Sequence, residues 1–129
     1  MEILFDPVTG AVDLSASAVG YRLLADVLTA GRGRCPARSS TPGHGEVPLA
    51  SVEVSTAPGP AVMVEVDGGR LRVSGDRAKL AVLAEDIRNM ADAEDGGHLH
   101  IEYHPGHGYL AEGSAPLIVN SPHGGMPRR

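Results

Sequence analysis

The sequence predicts an α+β fold: a mostly antiparallel sheet of six or seven strands with two helices on one face. Two observations carry this. Twice along the chain, a pair of segments with alternating apolar spacing is followed by a segment with helical spacing, giving two ββα units. A pair of short strand-like runs then closes the chain, at "HLHIEY" and "PLIV".

The first unit opens with "EILFD" and "AVDLSA" around "PVTG", a turn with Pro and Gly where turn chemistry wants them. Val12 and Leu14 alternate with polar neighbours, the pattern of a half-buried strand. Ser17 is the expected N-cap of the helix "AVGYRLLADVLTA", and Gly31 its C-cap glycine. Tyr21, Leu24 and Leu28, joined by Leu23 and Val27, supply the apolar stripe.

Residues 32–48 have no apolar period and are rich in Arg, Ser, Gly and Pro, so they read as a flexible loop. A strand around "SVEVS" follows and stops at "APGP". The second unit then runs strand, "DGG" hairpin turn, strand, helix. Asp76 is its expected N-cap, and Leu80, Leu83, Ile87 and Met90 its buried stripe. The two units superpose: Val12 on Leu71, Leu14 on Val73, Ser17 on Asp76, Tyr21 on Leu80, Leu24 on Leu83 and Leu28 on Ile87. That agreement reads either as an old duplication or as two copies of a common motif that look alike by chance. Residues 120–129 read as a frayed tail, so the expected organisation is one domain over 1–129.

Composition narrows the function classes. The net charge of −5 argues against nucleic acid or anionic lipid as the main partner. Three tyrosines, one Phe and no Trp leave few rings on which single-stranded bases could stack. A lone Cys35, an amino terminus with an early acid and no apolar run of roughly 20 residues point to a cytoplasmic location.

The stretch "HLHIEYHPGHGY" is the densest cluster of functional side chains. Strand alternation puts Leu99, Ile101 and Tyr103 on one face and His98, His100 and Glu102 on the other, with His104 following the same parity. One reading is a metal site using His98, His100 and Glu102. Against it, same-face neighbours on a strand stand about 7 Å apart, and no CxxC or HExxH spacing exists. A catalytic reading would pair His100 with Glu102 or Ser114. The plainest reading is the solvent face of a sheet. A recognition reading extends that face through the "HPGHGYLAEGS" loop, with Tyr109 and Leu110 either exposed at its tip or folded onto the core. An open sheet edge pairing with a second copy is a further possibility, and the oligomeric state stays open.

Over Val62 to Val119 the chain resembles the immunity protein 32 family of bacterial polymorphic toxin systems. The residues that carry the likeness are His98, His100, Glu102, Tyr103, Pro105, Gly106, His107, Tyr109, Leu110, Ser114 and Pro116 to Val119. His104 stands where an aromatic residue is expected, and Gly108 is small for its place. The resemblance implies a protein that binds a cognate toxin domain and blocks it without chemistry, needing no cofactor. The expected contact surface is His98, His100, Glu102, His104, His107 and Tyr109, with the small metal-binding protein as the alternative.

Overall fold

The computed structural model describes residues 1–38, 45–94 and 96–123. Chain order is β1 (Glu2–Phe5), β2 (Val12–Ser15), α1 (Ala18–Ala30), β3 (Gly33–Pro36), β4 (Val47–Pro48) and β5 (Ser51–Thr56). It continues with β6 (Val62–Asp67), β7 (Arg70–Gly75), α2 (Arg77–Ala91), β8 (His98–Ile101) and β9 (Leu117–Asn120). The fold is α+β, and both helices begin where their caps predict. The Ser17 hydroxyl accepts from the Gly20 amide at 3.1 Å, and the Asp76 carboxylate accepts from the Lys79 amide at 3.2 Å. Gly31 ends α1 at φ 78°, a left-handed conformation that glycine adopts without steric cost.

The strands form two mixed sheets, where the sequence pattern suggested one. The first has the order β4-β1-β2-β9-β8 and the second β3-β5-β7-β6. Antiparallel pairs predominate, but β2 runs parallel to β9 and β5 parallel to β7. The difference has a topological cause. After α1 the chain crosses over, and β3 and β5 complete the sheet of the second hairpin; after α2, β8 and β9 complete the sheet of the first. The repeat is therefore ββαββ, and its two copies exchange their last strand pairs.

The registers support this. Val12 sits opposite Leu117 and Leu14 opposite Val119, while Leu71 sits opposite Val52 and Val73 opposite Val54. These are the positions that superpose in sequence, each facing the partner that the exchange supplies. Alternation reports that a strand has one wet face, but it does not say which strand lies beside it.

Inner faces of both sheets and the apolar stripes of both helices meet in one core, which includes Leu14, Leu24, Leu28, Leu71, Leu83, Ile87 and Leu117. The helices also pack on each other. Tyr21 is fully buried, and its hydroxyl lies within hydrogen-bonding reach of the Leu14 and Asn120 carbonyls, one on each strand of a parallel pair. Leu23 departs from expectation: it is 58% exposed, on the outer side of α1.

The supposed loop of residues 32–48 contains β3 and β4, and Cys35 is buried in β3. Residues 39–44 of that span, His44 among them, lie outside the described residues. Asn120, assigned to the tail, instead ends β9. Its side-chain amide reaches the Asp13 carboxylate, the Leu14 carbonyl at 3.0 Å and the Ser15 hydroxyl at 3.1 Å. Ser121 is buried, while residues 124–129 lie outside the described ones.

Gly75 shows how closely β6 and β7 approach. A Cβ there would sit 2.4 Å from the Ala61 carbonyl oxygen and 2.8 Å from the Val62 Cα, both backbone atoms that cannot swing aside. Gly75→Ala should therefore cost about 1–3 kcal/mol, the range for forced overpacking, measured by urea unfolding. A stability loss within error would show that the strand pair can separate at this end.

Candidate functional site

The first sheet turns an outer face to solvent, and the side chains of β8 stand on it. The inner partners behave as the alternation requires: Ile101 is buried, and Leu99 and Tyr103 pack against the core. His100 and Glu102 are exposed and His98 is half-buried, with the two imidazole centroids 4.6 Å apart. Moving across the sheet, His100 lies opposite Ile118, Ile118 opposite Asp13, and Asp13 opposite Leu4.

These side chains line a shallow cleft of about 450 Å³ together with Asp6, Glu46 and Glu102. Among the described residues its lining holds carboxylates and one imidazole but no Lys or Arg. Burial pushes the Asp13 carboxyl above the ordinary carboxylate range and Glu46 adds to the shift, while the Asn120 amide and His98 oppose it.

The outer face of the second sheet offers a contrast. There Arg70 pairs with Glu53 at 2.8 Å and Arg72 with Asp67 at 2.9 Å, and Arg34 lies opposite Glu53 in the ladder. The Arg70 guanidinium holds the Glu53 carboxyl below its usual range. One face is thus internally charge-matched, and the other presents acid.

The loop after β8 is spent on structure. It leaves the first sheet, runs along the open edge of β6 in the second, and returns to β9. The Val62 amide donates to the Tyr109 carbonyl at 2.7 Å, and the Ala111 amide donates back to the Val62 carbonyl at 2.8 Å. The Ser114 hydroxyl accepts from the Val64 amide at 3.1 Å, and the Ala115 amide donates to the Val64 carbonyl at 2.8 Å. An edge strand that would otherwise offer unpaired backbone groups is covered.

His107 organises the turn. Its Nδ1 accepts from the amides of Tyr109 at 3.1 Å and Leu110 at 3.0 Å, so that nitrogen is unprotonated and the proton sits on Nε2. Desolvation first, and then the neighbouring His104, lower the His107 pKa, while Asp86 acts in the opposite direction.

These contacts sort the expected site residues. His98, His100 and Glu102 share one face as the alternation predicts, and His104 is exposed beside the turn. Tyr109 does not belong to an exposed surface: it is 7% exposed, folded onto the core, with its hydroxyl donating to Asp86 at 2.6 Å. Leu110 is buried too, so the exposed-tip reading of the loop gives way to the folded-back one. Ser114 engages the β6 backbone and is not placed as a nucleophile beside His100. Among the described residues no three His, Cys, Asp or Glu side chains converge as a metal ion would require, so His98, His100 and Glu102 form no such set. The sequence reading missed Asp13, Glu46, Leu4 and Ile118. Nothing in their local sequence marks them, because β9 joins the β1–β2 hairpin only through the exchanged pairing and Glu46 reaches the cleft only where β4 pairs with β1.

Comparison with known families bears on this region. The family model of immunity protein 32 matches the chain over residues 70–122. The match takes in β7, α2, β8, the returning loop and β9. No curated protein and no solved structure matches the chain. The immunity protein 32 match suggests an immunity function and, in general terms, a toxin protein as partner. No helix among the described residues is long and apolar enough to cross a membrane. Within the matched span, His107, Tyr109 and Ser114 hold the loop, whereas His98, His100 and Glu102 are left facing outward.

Two measurements check this division. Tyr109→Phe deletes only the hydroxyl on Asp86 and should cost about 1 kcal/mol, the usual worth of a part-buried hydrogen bond. Asp86→Ala should cost a similar amount, and the double variant should lose less than the sum of the two; full additivity would show that the bond contributes nothing. His107 should titrate below its ordinary 6.5 in histidine NMR, with the proton on Nε2 at neutral pH. Because the folded value is depressed, its contribution to stability is complete above 6.5 and declines as the pH falls toward the folded value. A His107 that titrates at or above 6.5 would contradict the assignment.

Proposed function

We propose that this chain is an immunity-type binding protein that neutralises a cognate bacterial toxin domain by direct contact, through the outer face of its first sheet. The observation that carries the reading is the cleft lined by Asp6, Asp13, Glu46 and Glu102, with no Lys or Arg among the described residues of its lining. An acidic face with apolar Leu4 and Ile118 at its centre suits a basic protein surface. The carboxylates steer the encounter, and the apolar centre supplies area to bury.

His98 and His100 extend the surface along β8, and His104 lies at its end. His107 and Tyr109 act indirectly by fixing the loop. The mechanism is steric and electrostatic blockade, in the cytoplasm where the toxin would act, with no bond made or broken. The use of Ser114 to hold β6 favours this binding role over catalysis.

The reading expects a toxin domain encoded next to this gene; the test purifies that domain separately and mixes it with the full chain in stopped-flow association. Co-expression should protect cells from that toxin. Glu102→Lys combined with Glu46→Lys should slow association about ten-fold or more at low ionic strength, with the difference shrinking as salt screens it. Glu65→Lys, on the other sheet, should change association little. Absence of a complex would overturn the reading, and so would association indifferent to the cleft charges.

A further inference from the structure

The matched registers of the two halves make one half of the molecule a guide to the other. In the second half the Tyr109 ring lies between α2 and the edge of β6, where its hydroxyl meets Asp86 and its carbonyl accepts from Val62. The equivalent backbone contacts exist in the first half. The Arg38 amide donates to the Met1 carbonyl at 2.7 Å as Ala111 does to Val62 at 2.8 Å, and Leu49 donates to Ile3 at 2.9 Å as Ala115 does to Val64 at 2.8 Å. Two residues before the bonded amide stands Tyr109 in one half and Pro36 in the other. By the helix correspondence, the position of Asp86 is taken by Val27.

A proline ring cannot reach where the tyrosine reaches. The result is an open apolar groove of about 480 Å³ between α1 and β3, whose walls include Met1, Leu23, Val27 and Pro36. Of these, Met1 and Val27 correspond to Val62 and Asp86, the two groups that bond to Tyr109 in the other half. Leu23, 58% exposed, and Val19, 63% exposed, continue the apolar surface along α1. Arg32 and Arg34 are among the lining residues, as is Asp26, whose carboxylate meets Arg88 at 3.4 Å; neither Arg32 nor Arg34 makes an ion pair among the described residues, although the charge of Arg34 acts on Glu53.

We propose that this groove is a docking site for an aromatic side chain of a partner protein, carried on a segment with carboxylates beside it. The fold already shows the occupant's chemistry. The matching slot takes a tyrosine, and here the polar Asp86 is replaced by Val27, so the ring's apolar body supplies the contact. Arg32 and Arg34 select acidic neighbours by charge complementarity. The site shares no residue with the acidic cleft and prefers the opposite charge. It therefore does not rest on the toxin reading and can succeed or fail separately from it.

The experiment is an NMR titration of the full 15N-labelled chain with the peptide acetyl-Glu-Tyr-Glu-amide, and with acetyl-Glu-Ala-Glu-amide as control. The tyrosine peptide should give saturable shifts centred on Gly20, Leu23, Val27 and Ala30, and the alanine peptide should bind about ten-fold or more weakly. Leu23→Asp, at an exposed position that folding does not need, should abolish the response. Pro36→Tyr, which supplies the missing ring from the chain itself, should also abolish it. Equal response to the two peptides, shifts elsewhere, or no saturable shift would overturn the proposal. So would groove shifts on dilution without peptide, accompanied by a dimer mass in light scattering, because a second copy would then be the occupant.

Discussion

The parallel pairing of β2 with β9 and of β5 with β7 is the constraint on which the rest of the molecule depends. A two-stranded hairpin on its own is marginal in water, since it has one apolar face and too little to cover it. Each hairpin here is completed by strands that arrive from the other half, after the helix of that half. Neither half can form its sheet without the other, and the buried stripes of α1 and α2 are covered only when both sheets are present. Tyr21 illustrates the dependence: its hydroxyl reaches carbonyls of Leu14 and Asn120, residues far apart in the chain that the exchange makes neighbours.

Chemistry in this fold resides where the two halves differ. Most of their inner residues are aliphatics in matched register, with Tyr21 against Leu80 as an exception. Their outer residues are not interchangeable. On one sheet, Arg70 pairs with Glu53 and Arg72 with Asp67; on the other, carboxylates, His100 and apolar side chains line a cleft without Lys or Arg among the described lining residues. The two halves share a scaffold because their inner faces match in volume and polarity. Their surfaces can diverge because packing does not restrict them.

The "HPGHGYLAEGS" stretch shows why a cluster of functional side chains is ambiguous in sequence. His107, Tyr109 and Ser114 have the residue types of a catalytic or binding site, yet each is satisfied by backbone or by Asp86. His100 and Glu102, a few residues earlier, are left to solvent, and His98 is half-buried beside them. Spacing separates the strand residues correctly, because a period of two is a local property. It does not report where a loop turns, since that depends on a β6 edge in need of cover.

By itself the sequence determined the α+β class, both helices with their caps, the hairpins, the face-by-face division of β8 and the superposition of the two units. All of these follow from short-range periodicity and turn chemistry. The likeness to immunity protein 32 was also legible there, in residues within the span that the family model matches. The tertiary structure alone decided that there are two sheets, that residues 33–36 and 47–48 are strands, and that Tyr109 is buried. It also brought Leu4, Asp13, Ile118 and His100 into one cleft. Those features depend on strands that meet only after the chain has crossed between sheets, and no local pattern encodes which strand will be the neighbour.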